Sequence, residues 1–93
     1  MSDLPPALEV YRRIGPFDAD SLPKGLLGEH RLKQGSWGRL TVLSGSVIFQ
    51  WDEGTRERRI LSEGDALMIP PEAPHHLELG GPVELAIEFL REP

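Results

Sequence analysis

Apolar and polar positions alternate along most of this chain in steps of two, the period of a strand with one buried face. In Val83-Glu84-Leu85-Ala86-Ile87-Glu88-Phe89 every odd position is apolar, and the even ones carry Glu84 and Glu88. Val47, Phe49 and Trp51 share one face of a second segment. Leu40-Thr41-Val42-Leu43 precedes it, and Ser44-Gly45 reads as a turn between two strands. Asp52-Glu53-Gly54-Thr55 has the composition of a hairpin loop. Arg59-Ile60-Leu61 predicts a short strand, Ser62-Glu63-Gly64-Asp65 a turn, and Ala66 to Ile69 another strand. His75 to Leu79 follows as a strand, and Gly80-Gly81-Pro82 turns into the last one. Leu26 to Leu32 alternates too, with Leu26, His30 and Leu32 on its inner side. Between breakers no long segment shows helical spacing; Asp18-Ala19-Asp20-Ser21-Leu22 predicts a single helical turn before Pro23. The pattern is that of an all-β domain of short antiparallel strands, a sandwich or a small barrel.

Size and composition sharpen this reading. The chain has 93 residues, enough for one domain with a modest core. Its 10 glycines and 9 prolines cut it into strand-length pieces. There is no cysteine, which excludes disulfides, thiolate metal sites and a cysteine nucleophile. A net charge of −5 argues against a nucleic-acid surface, which needs clustered positive charge. Arg56, Arg58 and Arg59 are diluted by Glu53 and Glu57 and read as a solvated hairpin. No apolar run is long enough to span a bilayer, and Met1 to Pro6 lacks the pattern of a secretion signal, so no membrane partner is expected and a cytoplasmic location is the default. Neither a glycine-rich phosphate loop nor a nucleophilic serine motif appears. Residues 1–14 are set apart as an N-terminal segment, an edge or swapped strand, ahead of a β-domain over 15–93.

Candidate chemistry rests on histidine. His75 shares parity with Leu77 and Leu79 and should point inward, whereas His76 and Glu78 point outward. His30 groups with Leu26 and Leu32 and should also point inward. Neutral imidazole is both a metal ligand and an acid or base near pH 7. The plainer alternative is a pair of histidines satisfied by hydrogen bonds to their neighbours. Glu29, Glu78, Glu84 and Glu88 alternate outward, and Asp65 sits at a turn where its carboxylate should cap backbone N–H groups. Arg39 shares the outward parity of Trp37 and Thr41.

Gly64 to His75 resembles the second motif of the cupin superfamily: a glycine, then a proline at Pro70, then a histidine at His75. Val42-Leu43-Ser44-Gly45 is similar to the end of the first. Phe17, Asp20-Ser21-Leu22-Pro23, Gly25-Leu26-Leu27, His30, Lys33, Gly35 and Trp37-Gly38 resemble the small, tellurite-resistance-associated (TehB-like) cupin branch. The resemblance runs from Tyr11 to Arg91 and implies a single-domain cupin barrel (a double-stranded β-helix or jelly roll), often a homodimer. Metal-binding cupins offer two histidines, a glutamate and a later histidine. Here His30 and His75 are present, but Leu32 stands at the second histidine position and Gly38 at the glutamate. The resemblance therefore implies a divalent transition metal only with an incomplete ligand set, His30 and His75 completed by water. Gly38 leaves space for Trp37 or a bound molecule.

The resulting expectation is a small-molecule binding or sensing module, with a link to tellurite or other oxyanion tolerance implied by the resemblance. Its apolar wall is read as Leu26, Leu32, Leu40, Val42, Phe49, Met68, Leu77 and Ile87, with Trp37 and Gly38 at the rim and His30 and His75 as the polar end. The alternatives are a metal-dependent enzyme (oxygenase, isomerase or hydrolase) using His30 and His75, and a structural or interaction subunit that lends Leu8 to Ile14 to a neighbouring sheet.

Overall fold

Among residues 8–92, which the computed structural model describes, strands β1 (Glu9–Asp18), β2 (Trp37–Trp51), β3 (Arg58–Ser62), β4 (Ala66–Ile69), β5 (His75–Glu78) and β6 (Val83–Arg91) follow in order, with a 3-10 helix at Lys24–Leu27. All pairings are antiparallel. β2 is the spine. Its first half lies between β4 and β6, and β6 pairs in turn with β1. Its second half lies between β3 and β5. Of the N-terminal segment, residues 1–7 lie outside the described residues; from Glu9 onward it is β1, hydrogen-bonded to β6 of the same chain.

Two sequence expectations change. Ser44-Gly45 does not end a strand: β2 runs straight through it. The reason is a bulge, seen as a register shift against β6 between Val42 and Ser44. One extra residue reverses the facing of everything after it. Leu40 and Val42 are buried before the bulge, at even positions, and Val47 and Phe49 after it, at odd ones. Gly45 makes the bend feasible, with φ +71° and its α-carbon against the Pro82 carbonyl, where a Cβ would collide. Leu26 to Leu32 is likewise no strand. Pro23 starts a 3-10 turn, Leu26 N–H donating to its carbonyl at 3.0 Å, and only His30 makes a single β-bridge.

The remaining punctuation acts as expected. Asp65 Oδ2 accepts from Ser62 N–H at 2.8 Å and closes the β3–β4 turn. Asp18 Oδ1 accepts from the N–H groups of Asp20 and Ser21, and Leu22 N–H donates to the Asp18 carbonyl, so the turn before Pro23 forms. The core is assembled from the inner faces: Leu40, Val42, Val47 and Phe49 of β2, Leu61 of β3, Ile69 of β4, Leu77 of β5 and Val83, Leu85 and Ile87 of β6. Phe49 and Leu85 are wholly buried.

Candidate functional site

β5 carries His75 inward as its alternation demands, and the residue is only 2% exposed. The 3-10 turn ahead of His30 returns the chain to β5, and the two histidines exchange both backbone hydrogen bonds at 2.9 Å. Their rings meet edge to face with centroids 4.2 Å apart. His75 also stacks on Phe49 at 5.2 Å and meets the Trp51 ring at 6.0 Å.

The hydrogen bonds fix the tautomers. A carbonyl can only accept, so Nδ1–H of His30 donates to Gly28 O at 2.9 Å and Nδ1–H of His75 to Ala73 O at 2.7 Å. Burial pushes the His75 pKa below its ordinary value, outweighing the Ala73 carbonyl that raises it, with His30 adding to the depression. His75 is thus a neutral imidazole at pH 7, with its Nε2 lone pair uncommitted among the described residues.

The other expected site residues divide. Leu40 and Phe49 are packed into the core. Gly38 does not leave room: a Cβ there would meet Leu32 Cδ1 at 3.0 Å, so the Leu32 side chain already occupies the space. Met68 is not an inner residue. It pairs directly opposite Arg39, on the outer face, while Leu67 and Ile69 turn inward. Ala66-Leu67-Met68-Ile69 is apolar throughout, so it has no alternation from which facing can be read. Arg39 points outward as expected, its Nη2 2.6 Å from Glu88, which also accepts from Arg13 Nε at 2.8 Å. Among the described residues no group of three His, Cys, Asp or Glu side chains is placed to share a metal ion.

Two features escaped the sequence reading. His76 bridges two carboxylates, its Nδ1 2.7 Å from Asp52 and its Nε2 2.8 Å from Glu78. Both ring nitrogens can donate at once only in the imidazolium form, which this arrangement favours: the Asp52 bond first and the Glu78 bond second raise its pKa. Strand parity paired His76 with Glu78, but Asp52, in the β2–β3 loop, has no parity to reveal it. The second feature is a pair of clefts beside Tyr11, about 450 and 340 Å³ in volume. Trp37 lines the first and Leu32 the second; His30, His75, Leu40, Phe49 and Met68 line neither.

Comparisons with known proteins agree with this architecture. The family model described as the TehB-like domain matches residues 12–87. The chain is 29% identical over 87 residues to a protein of Haemophilus influenzae (strain 10810) named probable S-adenosyl-L-methionine-dependent methyltransferase TehB, covering 88% of this chain and 30% of that one. It therefore spans under a third of that relative's length. The crystal structure of TehB from Haemophilus influenzae superposes with a TM-score of 0.84 at 26% identity, over 94% of this chain and 32% of that one. A protein of Escherichia coli (strain K12) gives 0.86 at 22% identity, covering 100% and 99% of the two chains. The cupin domain of an XRE family transcriptional regulator from Enterobacter cloacae gives 0.59 at 18%, over 94% and 98%.

Proposed function

Since the chain belongs to the TehB-like domain family, we propose that it is a small-molecule binding module on a cupin-type barrel, and that its contact with ligand is the His30–His75 pair. The observation that carries this is the placement of the two Nδ1–H groups. Each is spent on the carbonyl two residues earlier in the chain, so that in the neutral ring Nε2, on the opposite edge, is a hydrogen-bond acceptor. Two such acceptors, 4.2 Å apart between ring centroids, suit a ligand with hydroxyl or N–H donors. Such a pair is poorly suited to a free oxyanion, which needs donors, and the depressed pKa of His75 disfavours the protonated form. Any contribution to oxyanion tolerance would run through another part of the surface.

The residues do not fit a resident catalytic metal. Such centres ordinarily take three protein ligands; here Leu32 packs against Gly38 where a third and a fourth would stand, and no step through a metal follows. Methyl transfer is not carried over either, because the match covers 30% of the relative so named. A homodimer is part of this reading: β1 ends the strand order β1-β6-β2-β3, and the molar mass of the full chain by light scattering tests it.

The module itself is tested by a thermal-shift screen of small hydroxyl and amine compounds against the wild type and His30→Gln. Hits should lose about tenfold in affinity on the variant, as expected for one lost hydrogen bond. A screen without hits, or hits indifferent to His30→Gln, ends the proposal.

A further inference from the structure

The two clefts beside Tyr11 share Tyr11, Lys33 and Ser36 as a common wall. Their charge is out of keeping with the rest of the molecule. The chain carries net −5, yet Lys33 and Arg91 line the larger cleft and Arg12, Arg31 and Lys33 the smaller, with Glu92 as the one carboxylate among the described lining residues. Elsewhere three arginines hold close carboxylates, Arg13 and Arg39 sharing Glu88 and Arg58 on Glu78, while Arg59 reaches Glu57 only at 3.9 Å and Arg56 has no ion pair among the described residues. Among the described residues Arg12, Lys33 and Arg91 have no ion-pair partner, and Arg31 reaches only Glu29 at 3.8 Å. Four cations without a close carboxylate therefore share these concave walls, where fields from one sign of charge reinforce each other.

The positions of these groups are also set. The Arg91 guanidinium lies 4.8 Å from the Tyr11 ring centroid and the Lys33 ammonium 5.9 Å, both within cation–π range. Tyr11 Oη and Ser36 Oγ are 2.6 Å apart, and Ser36 is only 3% exposed. Two hydroxyls hold two protons, and their mutual bond uses one. The second has no partner among the described residues and lies beside two cations. Donors and positive charge together select an anion. Volume and lining select its size and character. The larger cleft, about 450 Å³, lies in the range of organic-ligand sites and far above what an inorganic oxyanion fills. Trp37 in one cleft and Leu32 and Phe89 in the other add apolar wall.

We infer that the double cleft around Tyr11 is a binding site for a small organic anion, a carboxylate carried on a flat apolar body. The carboxylate sits between Lys33, Arg91 and the Tyr11–Ser36 hydroxyl pair, and the body lies along Trp37. The site shares neither histidine with the pair described above, so it goes beyond that reading.

Titration of the full-length chain with benzoate, its neutral isostere benzamide and inorganic phosphate, followed by amide chemical shifts, tests the inference. Benzoate should saturate with a dissociation constant below about 5 mM, the scale for so few heavy atoms. Benzamide and phosphate should each bind at least about tenfold more weakly, for want of charge or of apolar body respectively. Lys33→Met and Arg91→Met should each weaken benzoate about tenfold, while Arg56→Met, in the β2–β3 loop, and His30→Gln leave it unchanged. Thermal melts of the variants confirm folding, and Lys33→Met alone suffices should Arg91→Met unfold. Benzoate binding unaffected by Lys33→Met, or phosphate binding as tightly as benzoate, would overturn the inference; so would the absence of saturation.

Discussion

His30 and His75 lock to each other twice, through paired backbone hydrogen bonds of 2.9 Å and through rings set edge to face. The two side chains nevertheless carry unequal structural weight. His75 is 2% exposed and stacked on Phe49, so His75→Ala leaves a hole in a packed aromatic cluster. By comparison with other large-to-small core changes this costs about 2–4 kcal/mol, a fall in melting temperature of roughly 10 °C or more for a domain of this size. His30 is half-buried, and His30→Ala should cost about 1 kcal/mol or less. Urea denaturation of both variants measures the gap. Equal losses would contradict the packing described.

The bend in β2 makes a second expectation. At Gly45 both the backbone (φ +71°) and the neighbouring Pro82 carbonyl oppose a side chain. Gly45→Ala should therefore cost more than about 2 kcal/mol, combining left-handed strain with a clash against backbone that cannot swing away. Gly54 has a similar φ of +68° but open space around it, and Gly54→Ala should cost about 1 kcal/mol. The difference between the two variants isolates the clash.

How far the sequence disclosed this arrangement depended on whether alternation survived locally. His75 and the core positions of β6 were legible because their strands alternate cleanly. At Ser44-Gly45 the sequence suggests a turn where β2 continues, because a bulge and a turn use the same residues. Strand parity turns His30 inward, yet it is a 3-10 turn and one bridge that bring it to His75. Met68 carries no sign of its outward facing because β4 is apolar on both faces. The Tyr11 clefts had no local signature at all: Tyr11, Ser36 and Arg91 lie on separate stretches that only the pairing of β1, β6 and β2 unites.

The outer face supplies a third expectation. Glu88 accepts from both Arg13 and Arg39, and the Arg39 bond lowers its pKa most. Arg13 is 72% exposed and Arg39 40%. Water screens the first pair more than the second, so Arg13→Met should fall within about 0.3 kcal/mol of the wild type and Arg39→Met should cost about 1 kcal/mol. Repeating the denaturation in high salt should shrink the Arg39 effect; a cost insensitive to salt would mean that packing of the arginine stem, and not charge, stabilises the sheet there.

The two histidines of β5 give stability a maximum in pH. His76, held between Asp52 and Glu78 with Arg58 on the far side of Glu78, has its pKa raised above the ordinary 6.5. Its contribution is complete below 6.5 and is lost as pH rises through the folded value. His75, packed against Phe49, Trp51 and His30, has its pKa lowered from 6.5, chiefly by burial. Its neutral form is the folded one, so its contribution is complete above 6.5 and is lost as pH falls through the folded value. The two slopes oppose each other, and stability should peak near pH 6.5. Urea denaturation at fixed ionic strength from about pH 5 to 9 draws the curve. In His76→Gln the alkaline decline should flatten while the acid decline remains. A wild-type advantage over His76→Gln that stays constant across that range would show that the Asp52–His76–Glu78 bridge does not hold its proton in solution.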